Sequence, residues 1–104
     1  MVRASIFAEG RVQGVGFRAT AAQVARALEL QGLVRNLRDG RVQIVVDGPR
    51  ERISEFIESV KTHEGALRGF HPKVARLVVA FEDEDGFIDA WRPYSGFEID
   101  YSRG

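Results

Sequence analysis

The chain has 104 residues, no cysteine, and fifteen basic residues balanced by fifteen acidic ones. That length fits one domain, residues 1–104, burying roughly 65% of the surface an unfolded chain exposes. Disulfides and thiolate metal sites are excluded, and a net charge of zero argues against nucleic-acid binding driven by charge, so any anion site has to be local. No stretch approaches the ~18 apolar residues of a membrane span. Met1 to Ala8 carries an arginine and alternating apolar residues instead of a signal peptide. A cytoplasmic location, with neither membrane nor nucleic acid as partner, is the expectation.

Val2, Ala4, Ile6 and Ala8 alternate with Arg3, Ser5, Phe7 and Glu9, a period-two strand pattern that Gly10 ends. Gly10-Arg11-Val12-Gln13-Gly14-Val15-Gly16-Phe17-Arg18 follows as a glycine-rich loop. From Arg18 to Leu30 helix formers dominate, with Ala21, Val24, Ala25 and Leu28 on one face, and Gln31-Gly32 is the expected C-cap. Leu33 to Leu37 reads as a short strand, and Asp39-Gly40 as a two-residue hairpin. Val42, Ile44 and Val46 line one face of the next strand. Pro49 suits the first turn of a second amphipathic helix over Arg50 to Thr62, with Ile53, Phe56, Ile57 and Val60 on its apolar face. Gly65 to Pro72 reads as a loop, Val74 to Phe81 as a strand with Leu77, Val79 and Phe81 on one face, Glu82 to Gly86 as an acidic turn, and Phe97, Ile99 and Tyr101 as a last strand.

This order is β-α-β-β-α-β with an added C-terminal strand. Two helices cannot cover both faces of such a sheet. The expectation is therefore a ferredoxin-like α+β sandwich, with a mostly antiparallel sheet and both helices on one face. In that topology the Gly10–Arg18 loop and Asn36 meet at one end of the sheet. One strand between them separates their backbones by roughly 10 Å, room for a phosphate and a water.

Three glycines within seven residues let the loop curl and turn backbone N–H groups inward. Such a nest binds anions, and the following helix adds its positive end. Arg18 sits at that helix start, where a cation opposes the helix dipole. Its guanidinium can grip a phosphate through two parallel hydrogen bonds. A glycine-rich turn with a solvated arginine remains the plain alternative. Gly14-Val15-Gly16-Phe17-Arg18-Ala19 also fits the dinucleotide fingerprint G-x-G-x-x-A. The immediate Asp39-Gly40 hairpin leaves no second βα unit for that fold, and a Walker A motif is absent.

The Gly10–Arg18 stretch, together with Gly32-Leu33-Val34-Arg35-Asn36-Leu37-Arg38-Asp39-Gly40-Arg41-Val42, resembles the two signatures of the acylphosphatase family. Val45-Val46-Asp47-Gly48 and Ser95-Gly96-Phe97-Glu98-Ile99 are also similar. The resemblance implies hydrolysis of a carboxyl-phosphate anhydride to carboxylate and inorganic phosphate, without metal or cofactor. By that resemblance Arg18 holds the phosphate and Asn36 positions the attacking water. The loop amides of Gln13, Gly14, Val15, Gly16, Phe17 and Arg18 cradle the phosphoryl oxygens. An acyl phosphate is the expected small-molecule partner, with inorganic phosphate as product and inhibitor. No side chain near the loop is an obvious general base, and in this family the bound phosphate is thought to accept the water proton. Ala19 and Ala22 stand where relatives carry bulkier residues, which bears on the pocket wall and on substrate preference. Domains of this kind also open larger carbamoyl-transfer maturation proteins; with its end at Gly104 the chain is expected to be a free-standing enzyme.

His63 and His71 lack a carboxylate at metal-ligand spacing, so no metal site is expected. Glu82 to Asp85 lacks the ligand pattern of a calcium loop. Arg35, Arg38, Arg50 and Arg52 read as solvated residues, Arg38 with a possible steering role. Trp91 and Tyr94 fit either a core edge or a contact surface. Two other functions compete: a non-catalytic phosphate or acyl-phosphate binding module, and an RNA-binding ferredoxin-like domain, which lacks the aromatic RNP run.

Overall fold

A computed structural model describes residues 1–14, 16–62, 73–88 and 94–101. The elements in chain order are β1 (Val2–Arg11), α1 (Phe17–Ala27), β2 (Gln31–Asn36), β3 (Val42–Gly48), α2 (Arg50–Thr62), β4 (Lys73–Phe81) and β5 (Phe97–Asp100). They build one five-stranded sheet in the order β4-β1-β3-β2-β5. Three neighbouring pairs are antiparallel and β2–β5 is parallel. No helix among the described residues is long and apolar enough to cross a membrane.

Alternation along the strands decides which face the helices cover. Ala4, Ile6 and Ala8 of β1, Val42, Ile44 and Val46 of β3, and Val34 of β2 join Phe17, Ala21, Ala22 and Ala25 of α1 and Ile53, Phe56 and Val60 of α2 in one buried cluster. Both helices thus pack on the same face, as the ferredoxin-like arrangement requires. Leu77, Val79 and Phe81 of β4 lie against that cluster from the sheet edge.

The opposite face is also partly covered. Ser5 and Ala80, cross-strand partners pointing away from the helices, are buried. The backbone N–H of Ile88 donates to Ser5 Oγ at 3.2 Å, and Gly86 lies beside Ala80. β4 and β5 are the two edges of the sheet, so the chain joining them has to travel from one edge to the other. Residues 86–88 lie over the helix-free face. Strict alternation, with only the even residues of β1 buried, therefore fails at Ser5.

Three local expectations change. The first helix begins at Phe17 and ends at Ala27, earlier than Leu30. Its stop is at Glu29, in the left-handed region at φ 57°, not at Gln31-Gly32. Leu30 N donates to Ala25 O at 2.9 Å and Glu29 N to Arg26 O at 3.1 Å, the two bonds of a Schellman cap. Buried Leu30 supplies its apolar contact, which holds a glutamate in a conformation that favours glycine. Glu29→Gly is expected to raise stability by about 1 kcal/mol, read as a higher thermal midpoint. The exposed Arg52–Glu29 pair that it removes, at 3.5 Å, offsets little of this gain.

The hairpin between β2 and β3 has a three-residue loop, Arg38–Gly40, instead of two. Gly40 N donates to Leu37 O at 3.3 Å, Leu37 N to Arg41 O at 2.8 Å, and Gly40 takes φ 97°. This is a turn followed by a glycine bulge. Asp39 accepts from Arg41 twice, through the backbone N–H at 3.0 Å and the guanidinium at 2.8 Å. These bonds, the backbone one foremost, hold the Asp39 carboxyl below its ordinary pKa. Their support of the turn is present above the unfolded carboxylate pKa and is lost as pH falls through the lowered folded value.

Candidate active site

The loop after β1 is held at both ends by apolar anchors. Val12 and Phe17 are both buried in the core. The β1–β4 register shifts between Glu9 and Gly10, where Gly10 takes φ 120°, and β1 continues past this bulge to Arg11 instead of ending at Gly10. Gly14 at φ 73° and Gly16 at φ 80° are both in the left-handed region. A side chain at Gly14 would meet nothing within 4 Å, so its demand is conformational rather than spatial.

Gly16 is the N-cap of α1, and no side chain caps it. The first turn contains no acidic residue. Thr20 N donates to Gly16 O at 3.0 Å, so the N–H groups of Phe17, Arg18 and Ala19 precede the first intrahelical bond. Helix ends usually satisfy such donors with a capping oxygen. Here they converge with the N-terminal dipole and the cation of Arg18.

A surface pocket of about 130 Å³ lies at this point, lined by Gly14, Gly16, Phe17, Arg18, Ala19, Ile99 and Tyr101. The Arg18 guanidinium is 5.0 Å from the centre of the Tyr101 ring, and its Nη1 makes a long contact of 3.5 Å to Asp100 O. None of the ion pairs among the described residues uses Arg18. Asp100 at the end of β5 and Tyr101 after it thus position the guanidinium beside the pocket. Farther along α1, Arg26 donates from Nε and Nη2 to Phe97 O at 3.1 and 3.0 Å, fastening the helix to β5.

Gly14, Gly16, Phe17 and Arg18 line the pocket, four of the six cradle positions named from sequence. Phe17 is buried, so its contribution there is backbone only. The Gln13 side chain turns away from the pocket toward the β2–β3 hairpin, donating to Leu37 O at 2.7 Å and Arg41 O at 2.9 Å. Val15 lies outside the described residues, as do His63, His71 and Trp91.

Asn36 ends β2 and is 5% exposed. It shares the helix-covered face with Val34, two residues earlier. Its Oδ1 is buried without a hydrogen-bond partner among the described residues. Asn36 is not part of the pocket lining, but the Gln13 bonds bring the loop against the hairpin that Asn36 enters.

Ala19 lines the pocket wall, whereas Ala22 is buried in the core and does not. Sequence reasoning missed Ile99 and Tyr101 as site residues. Their alternation with Phe97 was visible, but the parallel pairing of β5 with β2 was not. That pairing sets Arg35 beside Asp100 and carries Tyr101 to the loop end of the sheet. Arg35 binds Gln43 Oε1 at 2.8 Å, Arg38 is exposed in the hairpin loop, and Tyr94 is buried.

Fold and site together define a small α+β sandwich with a glycine-rich loop and a pocket at the start of its first helix. Residues 4–99 match the acylphosphatase family, to which the chain belongs. The acylphosphatase of Trichormus variabilis is 47% identical over 99 residues, 95% of this chain and 86% of its own. That of Natronomonas pharaonis is 38% identical over 98 residues, 94% of each chain. The crystal structure of acylphosphatase from Bacillus subtilis superposes with a TM-score of 0.78 at 34% identity, covering 97% of this chain and 100% of that one. The protein is an enzyme of this family, acting on small-molecule acyl phosphates.

Proposed function

We propose that Arg18 binds the phosphoryl group, that Asn36 positions the attacking water, and that the amides from Gln13 to Arg18 cradle the phosphoryl oxygens. The observation that carries this reading is the uncapped start of α1. Two left-handed glycines, three N–H groups ahead of the first helical bond and an arginine that forms no ion pair among the described residues surround one pocket. An acyl phosphate offers the dianion that such a site lacks.

Acyl phosphates are reactive, and their phosphoryl transfer passes through a loose transition state with charge spread over the equatorial oxygens. The site has to hold those oxygens and align a water. The orphan Oδ1 of Asn36 accepts one O–H of that water. The water oxygen bonds to phosphorus as the bond to the acyl oxygen breaks. The carboxylate leaves with the electron pair, and the water proton passes to a phosphoryl oxygen. Carboxylate and inorganic phosphate are the products, and phosphate competes for the same cradle. The reading takes residues 1–104 as one working domain in the cytoplasm.

Asn36→Ala tests the water assignment. Turnover of benzoyl phosphate is expected to fall about 10²-fold, with inhibition by inorganic phosphate retained. Stability is expected to hold within about 1 kcal/mol, because the variant removes a buried acceptor with no partner among the described residues. Wild-type turnover in this variant would refute the role.

A further inference from the structure

We infer that the side chain of Gln13 is a positioning residue, a strut that sets the distance between the phosphate cradle and the water held by Asn36; the inference rests on the Asn36 assignment above. A primary amide carries two N–H bonds, and Gln13 uses both across one hairpin, to Leu37 O at 2.7 Å and to Arg41 O at 2.9 Å. Leu37 and Arg41 close the hairpin, and the next pair down the ladder is Asn36–Val42. At the other end, Gln13 is bonded directly to Gly14, the first residue of the pocket lining. One side chain thus spans the two halves of the site.

The hairpin is built to receive it. In this glycine-bulge turn Gly40 N takes the place of Arg41 N at Leu37 O, and Arg41 N donates to Asp39 Oδ1 at 3.0 Å. Leu37 O keeps only the longer 3.3 Å bond from Gly40 N within the hairpin and takes its shortest bond from Gln13. The Arg41 side chain, with its guanidinium carbon 4.5 Å from the centre of the Phe7 ring, ties the same turn to β1. Two bonds from one planar amide restrain both translation and rotation of the hairpin against the loop. Without them, the hairpin end keeps its own bonds and the Arg41–Phe7 contact but loses its direct tie to the cradle loop, so the two can shift relative to each other. Displacements of about 1 Å are enough to cost turnover about 10²-fold in positioned reactions.

The test compares Gln13→Met, which keeps length but has no donor, with Gln13→Glu, using the full chain and benzoyl phosphate. For Q13M, kcat is expected to fall about tenfold or more while the inhibition constant of inorganic phosphate moves less than about threefold. In an Asn36→Ala background the same change is expected to cost little more, because the strut then has no water to position. A Q13M protein with kcat within about twofold of wild type, or with an undiminished loss in the Asn36→Ala background, overturns the proposal. If Asn36→Ala alone keeps wild-type turnover, the Asn36 assignment fails and takes the strut with it; a crippled Asn36→Ala beside a normal Q13M overturns the strut alone.

Q13E adds a readout that a role in folding would not move, and it decides alone should Q13M not fold. An ionised carboxylate faces two carbonyl oxygens and repels them. Once protonated, it donates one hydrogen bond back. The ratio of Q13E to wild-type kcat is expected to rise as pH falls, and a ratio flat with pH overturns the proposal.

Discussion

Arg18→Ala is expected to lower the turnover of benzoyl phosphate about 10³-fold, the range lost when a guanidinium or an oxyanion donor is removed from a charge-stabilised transition state. Inorganic phosphate should cease to inhibit, because the same cation binds substrate and product. The variant should fold. Arg18 occupies the first turn of α1, where a cation opposes the dipole, and its neighbours there include no acid. Its removal is expected to change stability by less than about 1 kcal/mol, with relief of the dipole contributing a few tenths upward. The lost stacking on Tyr101, a ring 75% exposed, is a surface cation–π contact of about 0.5–1 kcal/mol that acts in the opposite sense. Arg18→Lys keeps the charge but loses the planar fork, so it should recover part of the affinity and little of the turnover. Phosphate-release assays in the presence of a chelator, with phosphate titrations on the same preparations, check all of this. A folded Arg18→Ala protein at the wild-type rate defeats the assignment.

Gly32→Ala is expected to be the most damaging small substitution outside the site, costing about 4 kcal/mol out of the 5–15 typical of a domain. Gly32 takes φ 142°, which L side chains rarely adopt. A Cβ there would overlap the carbonyl oxygen of Val45 and come within 2.8 Å of its carbonyl carbon. The obstruction is backbone of β3, paired on both sides by β1 and β2, with Val45 and Val46 fully buried. It has nowhere to move. Gly32 N also donates to Gly96 O at 3.1 Å, so the clash sits where β2 meets the chain entering β5. Urea denaturation should show a large drop in midpoint. Gly40→Ala in the hairpin loop is the matched control. Its φ is also positive, at 97°, but there is open space around the new Cβ, so its cost is conformational alone, about 1 kcal/mol.

Gly32 also shows where a sequence misleads. A glycine after a helix reads as a C-cap, and that reading is chemically sound. The left-handed residue of the cap is Glu29 instead, three positions before Gly32, because Leu30 drops into the core and pulls the chain through the turn there. The glycine is then needed for a different reason, the close approach of β3, which no local pattern encodes. Ser5 teaches the same lesson. Its place in an alternating strand predicts exposure, and it is buried because residues 86–88 return over the sheet from eighty positions away.

What the sequence determines by itself is local and periodic. Alternation placed the strands, the 3.6-residue spacing placed both helices, and two helices beside such a sheet limited the layers to one arrangement. The glycines at 14 and 16, followed by Arg18 without an acidic cap, announced an anion site where a strand gives way to a helix. The family signatures add Asn36 to that loop. Tertiary structure decided the rest, because it depends on contacts between residues far apart in the chain. The parallel pairing of β5 with β2 brings Ile99 and Tyr101 to the pocket, and the fold turns the Gln13 side chain from the pocket toward the hairpin of Asn36. Spacing along a chain records which residues can share a face. Only the packed sheet sets how far apart two loops stand, and that distance is what a reaction between a bound phosphate and a held water requires.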